Sequence, residues 1–331
     1  MTPCNCGTGS MAADIADSDL TPLRVTRAEP IADGISLFEL RHPDGADLPE
    51  FTAGAHLAVR VPSGLIRKYS LCNDPDERDR YCIAVKRETY ENSGSTSLID
   101  GARVGDRLPA SAPRNNFALA KSPAGYTFIA GGIGITPIMA MIRHLSNTGI
   151  TPFKLYYCTR NPQATAFREE LTAPPFKARV ALHHDGGDPD RALDLWPILE
   201  RPKGHVYCCG PRPMMQAVRD MTGHWSPSAV HFEAFSEPAR RAANDRPFQV
   251  CLARSGDLVN VPVGITILEA LRAHGLAVPS SCESGTCGTC RTRLMSGEAD
   301  HRDLVLSEHE HADTIMVCVS RARSDQISID R

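Results

Sequence analysis

The 331-residue chain lacks the features that direct a protein to a membrane, to secretion or to nucleic acid. No apolar run approaches the ~20 residues needed to span a bilayer. The first seven residues have neither a basic region nor an apolar core, so we expect no secretion signal. The formal net charge is only −3, which gives no basic signal for nucleic acid. Internal repeats and low-complexity segments are also missing. We therefore expect a cytoplasmic protein with neither a membrane nor a nucleic-acid partner.

Cysteine, in contrast, is plentiful, and four of the twelve cysteines follow a specific spacing. Cys282, Cys287 and Cys290 read C-x4-C-x2-C, and Cys318 follows after a long gap. This is the ligand spacing of a plant-type [2Fe–2S] cluster, in which each iron takes two thiolates. The glycines and small hydroxyl residues of the first run let backbone N–H groups point at the sulfurs. We expect Cys318 to supply the fourth ligand from a buried strand.

A zinc site and a disulfide framework are the two alternatives for these four cysteines. A zinc site usually shows a short second pair of ligands, and Cys318 has no neighbouring ligand. A disulfide framework fits poorly with a chain for which no signal peptide is expected. The spacing therefore favours the cluster, and with it a protein that transfers electrons. Cys4 and Cys6 form an incomplete two-thiol metal site, to which we assign no function.

The chain divides into three segments with different patterns. The first has short strands with period-two alternation between Gly/Pro turns, typical of a small antiparallel barrel. The second alternates apolar strands with helical stretches at 136–147 and 213–221, typical of a parallel sheet with crossover helices. The third carries the cysteine motif and has the size of a small domain. The predicted boundaries are a mobile tail 1–20, a barrel 21–122, an α/β domain 123–234, a linker 235–247 and a cluster domain 248–331.

Two neighbouring features of the first segment suggest a flavin site. Arg67, Tyr69 and Ser70 offer a planar fork for a phosphate, a stacking face for the ring and a small hydroxyl near N5. Small hydroxyl residues at 94–97 precede an apolar pair and predict a helix start, where N–H groups favour phosphate. A solvated strand face and a plain helix cap are the alternatives for each feature taken alone.

Two turns of the second segment lie at strand ends, where open α/β sheets bind ligands. Gly131, Gly132 and Gly134 let the backbone turn sharply toward a pyrophosphate, although the run is not the G-x-G-x-x-G fingerprint. An ordinary tight strand-to-helix turn is the alternative. Cys208 and Cys209 precede Gly-Pro at another strand end. A redox disulfide between them would be strained, so packing is the favoured role for this pair.

The order R-x-Y-S, G-G-x-G-x-T-P and C-G-P resembles the ferredoxin–NADP reductase superfamily. With the C-terminal cluster motif, the chain resembles its phthalate dioxygenase reductase subfamily from about residue 22 to the end. The resemblance implies an antiparallel β-barrel flavin domain, an α/β parallel-sheet nucleotide domain and a C-terminal α+β ferredoxin-like (β-grasp) domain. It also implies NADH as donor and FMN as flavin, because Pro-Arg-Asn-x-Phe at 113–117 stands where FAD relatives carry P-x-G-x-F.

The resemblance assigns roles to individual residues. Ser70, Cys209 and Phe235 are the expected catalytic residues: Cys209 near nicotinamide C4, and Phe235 over the flavin face that nicotinamide must reach. The expected cofactor-binding residues also include Arg67, Lys68, Tyr69, Val85, Lys86, Gly94, Ser95, Thr96, Ser97, Gly132, Gly134, Thr136, Gly210, Pro211 and Asp185. Lys68 replaces the usual threonine, and either a phosphate contact or a solvated charge fits it. Asp185 is expected to face an adenosine ribose.

This set of cofactors implies a mechanism. NADH gives two electrons at once and a [2Fe–2S] cluster accepts one, so a flavin between them is required. The leading hypothesis is a reductase for a separate Rieske-type terminal oxygenase in aromatic breakdown, acting on phthalate or a similar aromatic carboxylate. An oxygenase such as an aromatic O-demethylase is the alternative partner. A non-catalytic redox sensor is the alternative class, and it leaves the flavin and nicotinamide motifs without a use.

Overall fold

The computed structural model describes residues 17–88, 94–149, 152–235 and 245–331. Most of the predicted tail (1–16) and most of the predicted linker (236–244) lie outside these residues. The described residues form three main sheets, one in each of the three segments. No helix in this part of the chain combines the length and the apolar character that crossing a bilayer requires.

The first sheet is the expected antiparallel barrel. Its elements are β1 (Leu20–Ala32), β2 (Ile35–Arg41), β3 (Ala55–Arg60), β4 (Ile66–Ser70), β5 (Tyr81–Lys86), α1 (Gly94–Gly101), β6 (Arg107–Ser111) and β7 (Arg114–Asn115). The strand order is β4-β3-β6-β1-β2-β5, with β7 on β3. An isolated bridge between Leu71 and Ile83 joins the chain after β4 to β5. This bridge brings the two ends of the strand order together, which is how a barrel manages its open edges.

The second sheet is parallel and has the order β10-β9-β8-β11-β12. Its elements are β8 (Tyr126–Gly131), α2 (Ile135–Thr148), β9 (Phe153–Thr159), α3 (Arg168–Thr172), β10 (Val180–His184), α4 (Trp196–Leu199), β11 (His205–Cys209), α5 (Arg212–Met221) and β12 (Val230–Glu233). Both predicted helices are confirmed, as α2 and α5. The strand order reverses at β8, so the glycine-rich turn that follows β8 lies at the switch point where such sheets bind ligands.

The third sheet is mixed, with the order β14-β13-β19-β15-β17. The elements are β13 (Phe248–Leu252), β14 (Leu258–Val261), α6 (Ile267–Ala273), β15 (Arg291–Ser296), β16 (Ala299–Asp300), β17 (Thr314–Met316), β18 (Arg321–Ala322) and β19 (Gln326–Ile329). Helix α6 starts at a capping box between Thr266 and Glu269. The α/β make-up and the β13–β19 parallel pairing agree with the expected ferredoxin-like class.

One sequence expectation is wrong in this domain. Cys318 does not lie in a strand, because β17 ends at Met316 and the chain then turns. The carbonyl of Met316 accepts the N–H groups of Val319 and Ser320, which closes this turn around Cys318. The apolar run 315–319 is buried, as its composition indicates. Its backbone conformation after Met316 is a turn, which an apolar run does not distinguish from a strand.

The barrel and the α/β domain share a hydrophobic core. Phe117 of the barrel packs edge-on against Tyr207 of β11, with ring centroids 5.2 Å apart. On the other side of the interface, Arg143 of α2 pairs with Glu170 and donates to the carbonyl oxygen of Cys72 in the barrel. Helix α2 is therefore buried between two domains, which explains why nine of its fourteen residues are buried. The domain boundaries themselves stay our prediction.

Candidate functional site

The tetrapeptide at 67–70 forms the end of barrel strand β4. Arg67 and Tyr69 point to one face of the strand and Lys68 to the other, because side chains alternate in a strand. The Tyr69 hydroxyl lies 3.4 Å from the Ser95 hydroxyl, and burial raises the pKa of Tyr69 to about 12. Tyr69 is thus a neutral aromatic with a polar tip, as a flavin contact requires. Lys68 is exposed on the opposite face from Arg67.

Helix α1 begins beside Arg67. A Cβ atom at Gly94 would lie 2.6 Å from Cγ of Arg67, so glycine lets the arginine pass close to the helix start. Ser95 is buried, and Thr96 and Ser97 are half-buried. A guanidinium and the N-terminal N–H groups of a helix together suit a phosphate. The structure therefore brings together the two sequence features that were expected to hold the flavin phosphate.

Strand β5 contributes backbone at the same barrel. Val85 is 1% exposed, and its side chain belongs to the barrel core. Lys86 ends the strand with an exposed side chain. At Val85 the expected contact is therefore restricted to main-chain atoms, whereas at Lys86 the side chain is accessible as well.

The glycine-rich turn packs directly on the turn after β11. A Cβ atom at Gly134 would lie 2.1 Å from the carbonyl oxygen of Cys209, and one at Gly210 would lie 3.0 Å from Gly131. No side chain larger than hydrogen fits at Gly134 without moving the backbone. Thr136 is buried and donates to the carbonyl of Ile133. The close packing brings the two predicted nucleotide-binding turns, including Gly132 and Pro211, to one edge of the sheet.

Glu233, which the sequence does not single out as a site residue, lies between the barrel and the α/β domain. It ends β12 beside Cys209, and its Oε2 accepts a 3.2 Å hydrogen bond from Oγ of Ser70. Burial, and to a smaller extent the negative charge on the nearby Cys282 sulfur, raises the pKa of Glu233 to about 8. Burial also raises the pKa of Cys209 well above its ordinary value, with Glu233 adding to the rise. Near pH 7 the site therefore holds a protonated carboxyl and a neutral thiol next to the Ser70 hydroxyl.

The remaining predicted nucleotide residues lie around the same edge. Asp185 follows β10, and its Oδ1 accepts the N–H of Gly187 at 2.7 Å. Arg160, which follows β9, accepts the N–H of Gly186 through its carbonyl at 2.9 Å. Phe235 follows β12, and its side chain is 39% exposed. An exposed aromatic at this point is available to cover a flat ring system, whereas Cys209 is fully buried and has no exposed surface.

The four motif cysteines come together in the third domain. Cys290 and Cys318 are buried, while Cys282 and Cys287 are half-buried. The backbone N–H groups of Ser284 and Thr286 each lie 3.4 Å from the Cys282 sulfur. Hydrogen bonds from Cys287, Ser284 and Thr286 outweigh burial and lower the pKa of Cys282 to about 4. Four thiols with N–H donors aimed at sulfur fit a [2Fe–2S] cluster, whose sulfurs carry negative charge.

The loop at 280–290, called the cluster loop below, lies against the barrel near the end of β4. The Ser281 hydroxyl donates a 2.8 Å hydrogen bond to Oδ1 of Asn116. Hydrogen bonds from Arg272 and Ser280 outweigh burial and lower the pKa of Glu283, and the Lys68 cation contributes to this decrease. The sequence did not reveal these contacts, because Asn116 and Ser281 are 165 positions apart. Lys68 thus lies near enough to the cluster loop to act on the charge of Glu283.

Known proteins share all three segments. Residues 22–119 match the oxidoreductase FAD-binding domain, residues 128–220 the oxidoreductase NAD-binding domain, and residues 233–323 the 2Fe-2S iron-sulfur cluster binding domain. The phthalate 4,5-dioxygenase oxygenase reductase subunit of Pseudomonas putida is 55% identical over 95% of this chain and 98% of its own length. The vanillate O-demethylase oxidoreductase of the same species is 39% identical over 90% of this chain and 96% of its own.

A solved structure agrees with these relatives. It is that of phthalate dioxygenase reductase, described as modular for electron transfer from pyridine nucleotides to [2Fe–2S]. It is 50% identical to this chain, covers 95% of it and 99% of its own length, and superposes with a TM-score of 0.72. The predicted fold class, the nicotinamide, flavin and cluster-binding domains and the oxidoreductase activity are thereby confirmed. The chain belongs to the phthalate dioxygenase reductase family.

Proposed function

We propose that the protein passes electrons from NADH through FMN and a [2Fe–2S] cluster to a Rieske-type terminal oxygenase that acts on phthalate. The observation that carries this proposal is the position of the cluster loop. Cys282 lies close enough to Glu233 to affect its pKa, and Glu233 bonds to Ser70 in the flavin domain. The same acid therefore borders the proposed flavin site and the proposed cluster.

Residues of the chain have separate tasks in this scheme. Arg67 and the start of α1 hold the phosphate, and Tyr69 and Ser70 orient the ring. The turns at Gly134 and Cys209 hold the nicotinamide nucleotide at the edge of the sheet. A bound flavin supplies the exchange between two-electron and one-electron transfer. Glu233, protonated near neutral pH, keeps a proton beside the Ser70 hydroxyl and adds no negative charge to the site.

FMN is supported by the segment at the end of the barrel. The Asn115 side chain donates to the carbonyl of Ala53 at 2.9 Å and to the Thr52 hydroxyl at 2.7 Å, and its Oδ1 accepts the N–H of Phe117. These bonds fix residues 113–117, where FAD-type relatives carry glycine. The difference from the FAD-type motif, in a segment whose position these bonds hold, is the basis for proposing FMN.

The partner is supported by the relatives. The P. putida relative at 55% identity is named for phthalate 4,5-dioxygenase and the one at 39% for vanillate O-demethylation, so phthalate is the first choice and an O-demethylase the second. We propose a transient complex with the oxygenase, and a cytoplasmic location. The location is supported by the ten described cysteines, none of which forms a disulfide.

Reconstitution with two oxygenases tests the proposal. The purified reductase is combined with NADH and either a phthalate dioxygenase oxygenase or a vanillate demethylase oxygenase, and product formation is measured for each. We expect at least tenfold higher kcat/KM with the phthalate enzyme. Equal turnover with both would contradict the proposed partner. Reduction of the flavin and cluster by NADH without turnover of either oxygenase would indicate a different acceptor.

A further inference from the structure

Three side chains of the third domain converge away from the four cysteines. His301 and Asp303 follow β16, and His311 lies in a short turn before β17. One potential ligand atom from each lies within 4.8 Å of those from the other two. The two imidazole rings stack with their centroids 3.9 Å apart and an angle of 12° between their planes. Neither the flavin site nor the cluster uses these residues.

All three side chains carry a buried atom without a hydrogen-bond partner among the described residues. These atoms are Nδ1 of His301, Oδ1 of Asp303 and Nε2 of His311. Asp303 is only 3% exposed, and its other oxygen, Oδ2, accepts the N–H groups of Val305 and Leu306 at 3.0 and 2.7 Å. A buried polar atom without a partner destabilises the folded state, so three at one point call for a ligand.

The protonation of His301 favours metal binding. Its Nε2 lies 3.2 Å from the carbonyl oxygen of His311, and a carbonyl can only accept. Nε2 therefore carries the proton, and Nδ1 presents its lone pair. Nδ1 lies 4.0 Å from Oδ1 of Asp303, too far for a hydrogen bond. An imidazole that donates one N–H to a carbonyl and presents the other nitrogen is the usual form of a metal-bound histidine.

We propose that His301, Asp303 and His311 bind a divalent transition metal of the Zn²⁺ class, with water as the fourth ligand. Two imidazole nitrogens and one carboxylate oxygen suit zinc, whereas Mg²⁺ and Ca²⁺ prefer sites made of oxygen. Bonds of about 2.0–2.1 Å place tetrahedral ligand atoms roughly 3.3 Å apart. The 4.0 Å between Nδ1 of His301 and Oδ1 of Asp303 closes to that value by a side-chain movement. The stacked rings hold their nitrogen lone pairs in nearly parallel planes, so one imidazole also turns out of the stack to face the same ion.

The metal would stabilise a segment that links the cluster loop to the α/β domain. Leu304 donates to the carbonyl of Gly285 in the cluster loop at 2.9 Å. From α5, Arg219 donates to the carbonyl of Asp303 at 2.9 Å, and Arg212 to that of Arg302 at 2.7 Å. A metal at this point would therefore hold the 301–304 segment between the two domains that it contacts.

Zinc titration of the flavin- and cluster-loaded protein tests the site. The protein is treated with a mild chelator, its iron content is verified, and Zn²⁺ binding is measured by calorimetry. The variants are His311→Gln and His301→Gln, and His309→Gln is the matched control because His309 is exposed in the same segment. Flavin and cluster spectra verify that each variant is folded.

We expect one Zn²⁺ per wild-type chain at this site, at least tenfold weaker binding in both ligand variants, and unchanged binding in His309→Gln. Mg²⁺ should give no binding at this site. Anomalous diffraction at the zinc edge should show a peak between His301, Asp303 and His311. Equal zinc affinity in wild type and His311→Gln, an equal loss in His309→Gln, or a zinc peak elsewhere on the chain would overturn the assignment.

Discussion

Substitution of Glu233 by glutamine removes an acid whose pKa is raised by the fold. We therefore expect it to change how the free energy of unfolding depends on pH. The carboxyl titrates at about 8 in the folded protein against an ordinary value of 4.5. A folded state that holds a proton more tightly is stabilised by it. The contribution is therefore fully present below about pH 4.5 and is lost as the pH rises through about 8. Between about pH 5 and pH 8.5 the loss amounts to about 4 kcal/mol.

Tryptophan emission provides the assay. The chain has two tryptophans, Trp196 and Trp225, and both belong to the α/β domain that carries Glu233. Urea unfolding of the loaded protein, followed by this emission, gives the free energy of unfolding at each pH. Subtraction of the Glu233→Gln values cancels the other titrating groups that the two proteins share.

The difference between wild type and Glu233→Gln should fall steadily as the pH rises from 5 to 8.5. Glu200→Gln is the control, because Glu200 is an exposed acid of the same domain, and its difference from wild type should stay flat. A flat difference for Glu233→Gln as well would show that the carboxyl titrates near its ordinary value. The reasoning from burial would then be wrong.

The remaining predictions concern the cofactors and their use. The pure protein should contain one FMN, two iron and two labile sulfide per chain; chromatography of the released flavin tests this, and FAD would contradict it. The kcat/KM for NADH should exceed that for NADPH by a wide margin. Asp185 would repel a 2′-phosphate, and Arg160 is the one cation in the turn after β9. Comparable values would mean that Arg160 binds the 2′-phosphate. The Cys290→Ser variant should lose or weaken the cluster. It should keep NADH-dependent ferricyanide reduction and lose cytochrome c reduction. Near-normal cytochrome c turnover in a cluster-free variant would show that electrons leave from the flavin. Gly134→Ala should raise KM for NADH at least tenfold, because its Cβ would lie 2.1 Å from the Cys209 carbonyl oxygen; an unchanged KM would show that the turn can move without loss of binding.

Local patterns predicted much of this molecule. The strands and helices of the barrel and of the parallel sheet follow from alternation, periodicity and turn residues, and the cysteine spacing predicted a set of thiols that the fold brings together. The error at Cys318 has a physical reason. An apolar run of five residues fits a buried strand and a buried turn equally well, and only the hydrogen bonds to Met316 decide between them.

The sequence did not predict the environment of individual side chains. Glu233 was visible as an acid at a strand end, yet its raised pKa depends on burial between two domains. For Lys68 the sequence allows a phosphate contact or a solvated charge, and the fold leaves it exposed on the face of β4 opposite Arg67. His301, Asp303 and His311 have no recognised metal-binding spacing. Only the folded structure brings these three residues together and shows that each has a buried atom without a partner among the described residues.

Electron transfer between the cofactor sites depends on contacts between segments that are distant in sequence. Ser70 and Glu233 are 163 positions apart, and Arg219 and Asp303 are 84 apart. Each domain carries the local motifs that we propose to bind one cofactor. Transfer between the sites requires that the flavin end of the barrel, the acid at the end of β12 and the cluster loop meet. These contacts come from complementary surfaces, such as the hydrogen bond between Ser281 and Asn116. No short sequence motif encodes them. Mutations at these contacts should therefore slow transfer between cofactors and leave the loading of each cofactor unchanged.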